Sequence, residues 1–130
     1  MGERQTASIG QAIRTVYASV RANDEATGMC CTFETRAASG DDRWIQVLRG
    51  NVNAQYLYQD EPVARLAALG VRVPLGVSTI DWSAGMYATF DVTGLEERDV
   101  TFFVDQLFVK ALGCDDDAYE LTTNFEDLDD

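Results

Sequence analysis

Three cysteines and twenty-two carboxylates are the first side chains to consider for chemistry in this chain. Histidine is absent. That removes the Ser-His-Asp triad, the Cys-His dyad, His-ligated zinc and the imidazole acid/base. A cysteine nucleophile needs a neighbouring cation to lower its pKa and a base to take its proton; arginines are present, but no imidazole is. Cys30 and Cys31 are adjacent, so on a strand their thiols point to opposite faces. They do not form a CxxC pair. With Cys114 they read as free thiols in a reducing compartment. The run Asp115-Asp116-Asp117 invites calcium, but an EF-hand loop needs alternating ligands, a glycine at its sixth position and a glutamate at its twelfth. The glycine is missing, so the run reads as a solvated acidic terminus. Many carboxylate pairs of the glycosidase kind are possible and the spacing singles out none. Phosphate-cradling glycine loops, HExxH and GxSxG are absent. The expectation is a protein without catalytic residues, metal ligands or cofactor.

Charge narrows the partners. The net charge is −12, and Lys110 is the only lysine among ten basic residues. Nucleic-acid phosphate and anionic membrane would be repelled, so neither is expected as a partner. Residues 115–130 hold eight acids and no base, which leaves a net of −4 on residues 1–114. The longest uncharged stretch is Gly50–Gln59, ten residues, against the ~20 apolar residues of a membrane span. The N-terminus lacks the basic-then-apolar pattern of a signal peptide, and Met1-Gly2 with Thr6 matches only part of a myristoylation motif. A cytoplasmic location is expected.

The elements that would position these groups are set by periodicity. Ile9, Ile13, Val16, Tyr17 and Val20 form a helical stripe over 6–23, with Thr6 or Ser8 as cap. Period-two runs come next at Gly28–Arg36, Arg43–Arg49 and Val52–Tyr58, separated by turn chemistry at Ala38–Asp42 and Gly50-Asn51. This is an antiparallel meander. Glu61-Pro62 opens a short helix that Gly70 closes. Pro74 makes the extended run Val71–Val77 an edge strand or a connector. Gly85–Val92 alternates again. Thr93-Gly94-Leu95-Glu96 has capping-box spacing. Val100, Phe103, Val104, Leu107, Phe108 and Ala111 then make the strongest helical stripe, closed by Gly113. The class is α+β: an antiparallel sheet of about five strands with helices, in the order α-β-β-β-α-β-β-α. A single domain is expected over 1–122, with an acidic C-terminal tail over 123–130.

Some apolar residues exceed what one core uses. Phe102 and Val109 lie seven residues apart, well off the main stripe of the last helix, where an interface or a second layer would bury them. Tyr56 and Tyr58 share one strand face, either under a helix or as a protein-binding platform. These four residues are the candidate protein-binding set.

The segment Glu97-Arg98-Asp99-Val100-Thr101-Phe102-Phe103-Val104-Asp105-Gln106-Leu107-Phe108, with Leu112-Gly113 and Tyr119-Glu120-Leu121, adds a resemblance. Together with the element order over residues ~5–122, it resembles the class I type III secretion chaperones and their YbjN-like and TY-chaperone relatives. The resemblance implies homodimers that hold extended segments of a partner protein and perform no catalysis; the family offers no catalytic residues to carry over. The expected function is a non-catalytic, chaperone-like protein-binding module acting as a homodimer. The alternative is an acidic inhibitor or immunity protein that binds a basic enzyme by charge complementarity.

Overall fold

The computed structural model describes residues 3–18, 29–114 and 119–127. Its elements are α1 (Glu3–Ala18), β1 (Met29–Arg36), β2 (Asp42–Leu48), β3 (Asn51–Gln55), α2 (Pro62–Ala68), β4 (Ser78–Ser83), β5 (Tyr87–Asp91), α3 (Glu97–Gln106), a π-helical turn over Leu107–Ala111, and β6 (Thr122–Asp127). The class is α+β and the helix-strand order is the expected one, with one strand more than expected. The strands form one antiparallel sheet in the order β4-β5-β3-β2-β1-β6. The chain therefore runs β1-β2-β3 as a meander, leaves through α2 to the far edge, and returns as the β4–β5 hairpin to pair with β3.

Alternation in each strand sorts the side chains by face. One row across the sheet reads Phe125, Cys31, Val47, Val52, Phe90, Thr79; the next reads Thr123, Phe33, Ile45, Ala54, Ala88, Trp82. Apart from the residues at their two ends, both rows are buried, from 0 to 2% exposed. Ile9, Ile13 and Val16 of α1 and Val100, Phe103 and Val104 of α3 complete this layer with Leu107 and Phe108. Phe90 and Phe103 meet edge to face at 5.4 Å. The opposite face is polar along its middle: Asn124, Thr32, Gln46, Asn53, Thr89 and Asp81 align across the strands. There Thr89 donates to Asn53 at 2.9 Å.

The end of α3 shows why the final stripe is wide. The amide of Leu112 bonds to the carbonyl of Leu107, and that of Cys114 to Phe108. The wider turn buries Leu107, Phe108, Ala111 and Leu112 together. Gly113 then adopts φ +73°, a left-handed C′ conformation that glycine reaches without Cβ strain. The freed carbonyls are satisfied from the sheet side: Arg43 Nε donates to Leu112 O at 2.9 Å, Tyr58 Oη to Ala111 O at 2.8 Å, and Ala38 N to Gly113 O at 3.0 Å.

Three expectations need correction. The capping box does not form. Thr93 is turned back onto Asp91, whose Oδ1 accepts from both its amide and its hydroxyl, at 2.9 and 2.6 Å. The helix starts later, after Glu96, with no side-chain cap. The second concerns α1, which begins at Glu3, so Thr6 and Ser8 lie inside it; the expected end of the stripe at residue 23 lies outside the described residues. Finally, the boundary expected at residue 122 falls at the start of a strand, because Thr122–Asp127 pairs with the free side of β1. An unpaired strand edge is a template for any extended segment within reach, and main-chain pairing outweighs the charge of Glu126 and Asp127.

All three thiols are buried. Burial pushes Cys31 up to about 12 from an ordinary 9.0, with the neighbouring Cys30 adding to the shift. A thiol that stays protonated in the folded state while the unfolded chain ionises destabilises the fold as pH rises. Stability should therefore fall between about pH 9 and about pH 12, at up to ~1.4 kcal/mol per pH unit from this group alone. Urea midpoints under reducing conditions check this. Cys31→Ala should start lower near neutrality and decline less steeply above pH 9; an unchanged slope would contradict the assignment.

A candidate protein-binding edge

Six large apolar residues are exposed among the described residues, and five of them lie between positions 57 and 86: Leu57, Leu75, Ile80, Trp82 and Met86. The local sequence explains each placement. Pro74-Leu75-Gly76-Val77 makes a tight turn, closed by Val77 N on Pro74 O at 3.2 Å, with Gly76 at φ +90°. Glycine is the residue that tolerates that position. The turn presents Leu75 at its tip, 98% exposed. In β4 the register slips between Thr79 and Asp81, so Ile80 is the extra residue of a β-bulge. The bulge turns it out of the core row that its parity would otherwise assign, and it is 56% exposed. Met86 closes the β4–β5 turn and its carbonyl accepts from the amide of Tyr56. That contact brings segment 56–58, and with it Leu57, to the same end of the sheet.

Trp82 ends the second buried row and is supported from below. Its ring meets Tyr56 at 6.0 Å, edge to face, and Tyr56 meets Tyr58 at 5.5 Å. The Arg65 guanidinium sits 5.4 Å from the centre of the Tyr58 ring. The Asp60 carboxylate holds it there through contacts of 2.7 to 3.1 Å. The hydrogen bonds from Arg65 hold the Asp60 carboxyl below its usual range. Tyr56 donates its hydroxyl to Asp60 O at 2.6 Å, and burial pushes it up to about 12. The start of α2 is fixed beside them by Glu61, which accepts from the amides of Val63 and Ala64 at 3.1 and 2.8 Å. Loop, helix start and aromatic stack thus make a braced support for an apolar rim. On the other side of β4, Tyr87 donates to Asp81 at 2.7 Å, and this bond raises the tyrosine pKa.

β4 has one neighbour, β5, and so ends the sheet. Its sequence Ser-Thr-Ile-Asp-Trp-Ser carries a single charge. Edges left with few charges and apolar side chains are sites of intermolecular pairing. The edge at β6 contrasts with it, since it ends in Glu126 and Asp127.

The fold separates the residues that the sequence singles out. Tyr56 is 3% exposed and Tyr58 is half-buried against the core, so the pair lies beneath the edge and Trp82 with its neighbours makes the exposed surface. Phe102 and Val109 are half-buried, and Val109 packs on the core. Asp115, Asp116 and Asp117 lie outside the described residues. Leu75, Ile80 and Met86 are contact candidates that periodicity does not mark. The turn at Pro74–Val77 lies in the run that the sequence reads as an edge strand or a connector; the bulge at Ile80 is not legible, because Ile80 and Trp82 keep core parity. Away from this edge, one cleft of about 550 Å³ lies beside the β1–β2 turn and one of about 1260 Å³ lies between α1 and the start of α3. The second brings Arg14, Arg49 and Arg98 together with Glu96 and Glu97, so its charges largely cancel.

No family model, curated protein or solved structure matches this chain. No helix among the described residues is long and apolar enough to cross a membrane.

The exposed residues and the core residues should separate cleanly on mutation. Leu75→Ser and Met86→Ser should each change unfolding free energy by no more than about 0.5 kcal/mol, whereas Phe103→Ala should cost about 3–5 kcal/mol. Urea denaturation checks both; a loss above about 1 kcal/mol for Leu75→Ser would show that its side chain is packed.

Proposed function

We propose that this protein is a non-catalytic, chaperone-like binding module that holds a segment of a partner protein along the β4 edge. One observation carries the reading: the exposed large apolar residues gather around the lightly charged terminal strand of the sheet. An apolar rim on a braced support is the composition of a contact centre, and the turn fixes the Leu75 backbone before any partner arrives, which lowers the entropy cost of docking. Two thiols bear on the catalytic alternative. Burial raises both Cys31 and Cys114, the latter to about 11; a nucleophilic cysteine needs the opposite shift. The same reading puts the protein in the cytoplasm, where free thiols stay reduced, without nucleic-acid or membrane partners.

The resemblance to secretion chaperones adds a homodimer to this proposal. Two surfaces could serve it: the helix face of Phe102 and Val109, and the β4 edge itself. The acidic-inhibitor alternative gains one point from the fold, since Glu126 and Asp127 stand on an ordered strand. It predicts binding that collapses with salt, whereas an apolar edge predicts binding that survives it.

Affinity capture with wild-type protein and with an Ile80→Asp/Met86→Asp variant tests the reading. Partners lost by the variant and retained by wild type at high salt are expected; equal capture by both would overturn it. Sedimentation velocity tests the oligomer. A wild-type species at 14.3 kDa contradicts the dimer, and a Phe102→Asp variant that folds and stays dimeric moves the contact away from α3.

A further inference from the structure

We propose that the β1 edge beneath β6 is a second strand-accepting surface. In this proposal β6 occupies that edge as an internal placeholder, and an extended partner segment without acidic residues displaces it. The proposal concerns the opposite end of the sheet from β4 and stands independently of the reading given above.

The strand is held by main-chain pairing with β1, and its side chains are mostly exposed. Its register against β1 runs from Thr122 opposite Glu34 to Asp127 opposite Met29. Thr122, Asn124, Phe125 and Glu126 are all exposed and Thr123 is half-buried. Of the β1 residues they meet, Cys30, Cys31 and Phe33 are 0% exposed, Met29 and Thr32 are half-buried, and Glu34 is exposed. Phe125, directly opposite Cys31, leaves 48% of its surface in water. The edge therefore offers main-chain partners beside the inward pair Cys31 and Phe33, and its present occupant covers its place in that row only in part, with Phe125 half in water.

The occupant is also the wrong charge. Glu126 and Asp127 are added to residues 1–114 that already carry a net of −4, and Glu126 makes no ion pair with a described residue. Repulsion from the rest of the molecule weakens the docked strand. A segment with the same spacing, an apolar side chain opposite Cys31 and lysine in place of the acids keeps the pairing and reverses this term.

Displacement need not disturb the core. Just before β6 the chain is pinned at Tyr119, whose hydroxyl bonds Asp105 at 2.5 Å and whose carbonyl accepts from Gln5 at 2.7 Å. Its ring lies 5.6 Å from that of Phe108. Everything up to that anchor can stay in place while 122–127 moves off.

The test uses the full chain and a fluorescein-labelled peptide of residues 119–127 with lysine at the positions of Glu120, Glu126 and Asp127. The comparison protein is Asn124→Pro/Phe125→Pro. Adjacent strand residues direct their amides to opposite sides, so one of the two prolines must remove a bond to β1. Freed of its internal competitor, the variant should bind the peptide at least about ten-fold tighter than wild type, and bound peptide should protect the β1 amides from exchange. The unaltered acidic peptide should bind more weakly. Equal affinity for wild type and variant overturns the proposal, and so does a variant that dimerises by strand exchange without binding peptide. The wild type alone also decides: β6 amides should exchange at least about a hundred-fold faster than those of β3, and equal protection overturns the placeholder role even if the proline variant fails to fold. Ile80→Asp should leave the peptide titration unchanged, so failure here and failure of the β4 reading are distinguishable.

Discussion

The apolar layer between the sheet and the α1–α3 pair is one side chain deep, and its width limits what the molecule can cover. Six strands at ~4.8 Å spacing span ~24 Å from first to last, while two helices packed ~8–10 Å apart cover less than that. The inward residues of the central strands β1, β2, β3 and β5 are buried. The outermost positions of the same rows overhang. Phe125 at one end and Trp82 at the other are the exposed members of otherwise buried lines. The exposed row ends follow from this mismatch, because a row that is not covered from above is either continued by the chain's own C-terminal segment or left open to solvent.

The two ends resolve the mismatch differently. At β1 the chain's C-terminal segment lies down as β6, a strand rich in acids that discourages further pairing through charge. At β4 the sequence has little charge, and it surrounds the strand with Leu75, Ile80 and Met86. The Tyr56-Tyr58-Arg65-Asp60 stack stiffens that end from beneath. The bulge at Ile80 interrupts regular pairing, so an arriving strand meets side-chain contacts as well as main-chain groups.

Much of this architecture is legible in residue order. The α1 and α3 stripes predict which helix faces are buried, and Ile9, Ile13, Val100 and Phe103 lie where they are expected. Alternation places the meander and the return of β5. The features that escape prediction depend on tertiary geometry. Thr122–Asp127 carries too much charge to read as a strand, and only the unfilled side of β1 makes it one. Thr93 has capping-box spacing, yet Asp91 lies closer. The exposed β4 rim is hidden because Ile80 and Trp82 alternate like core residues. A bulge and an uncovered end of a row are decided by neighbouring strands, and local sequence does not encode them. Tyr56 and Tyr58 stand out for their shared face, and the fold uses them as a base on which the contact residues rest.

The central claim is that partner contact occurs at the β4 edge. A photoreactive phenylalanine derivative placed singly at Ile80, Met86 or Arg14 in the full chain tests it directly, with irradiation in the native cellular context followed by mass measurement of the adducts. Ile80 and Met86 should give a discrete covalent adduct with a second protein, and the arginine position on α1 should give none. Adducts formed only from Arg14, or equally from every position, would contradict the account.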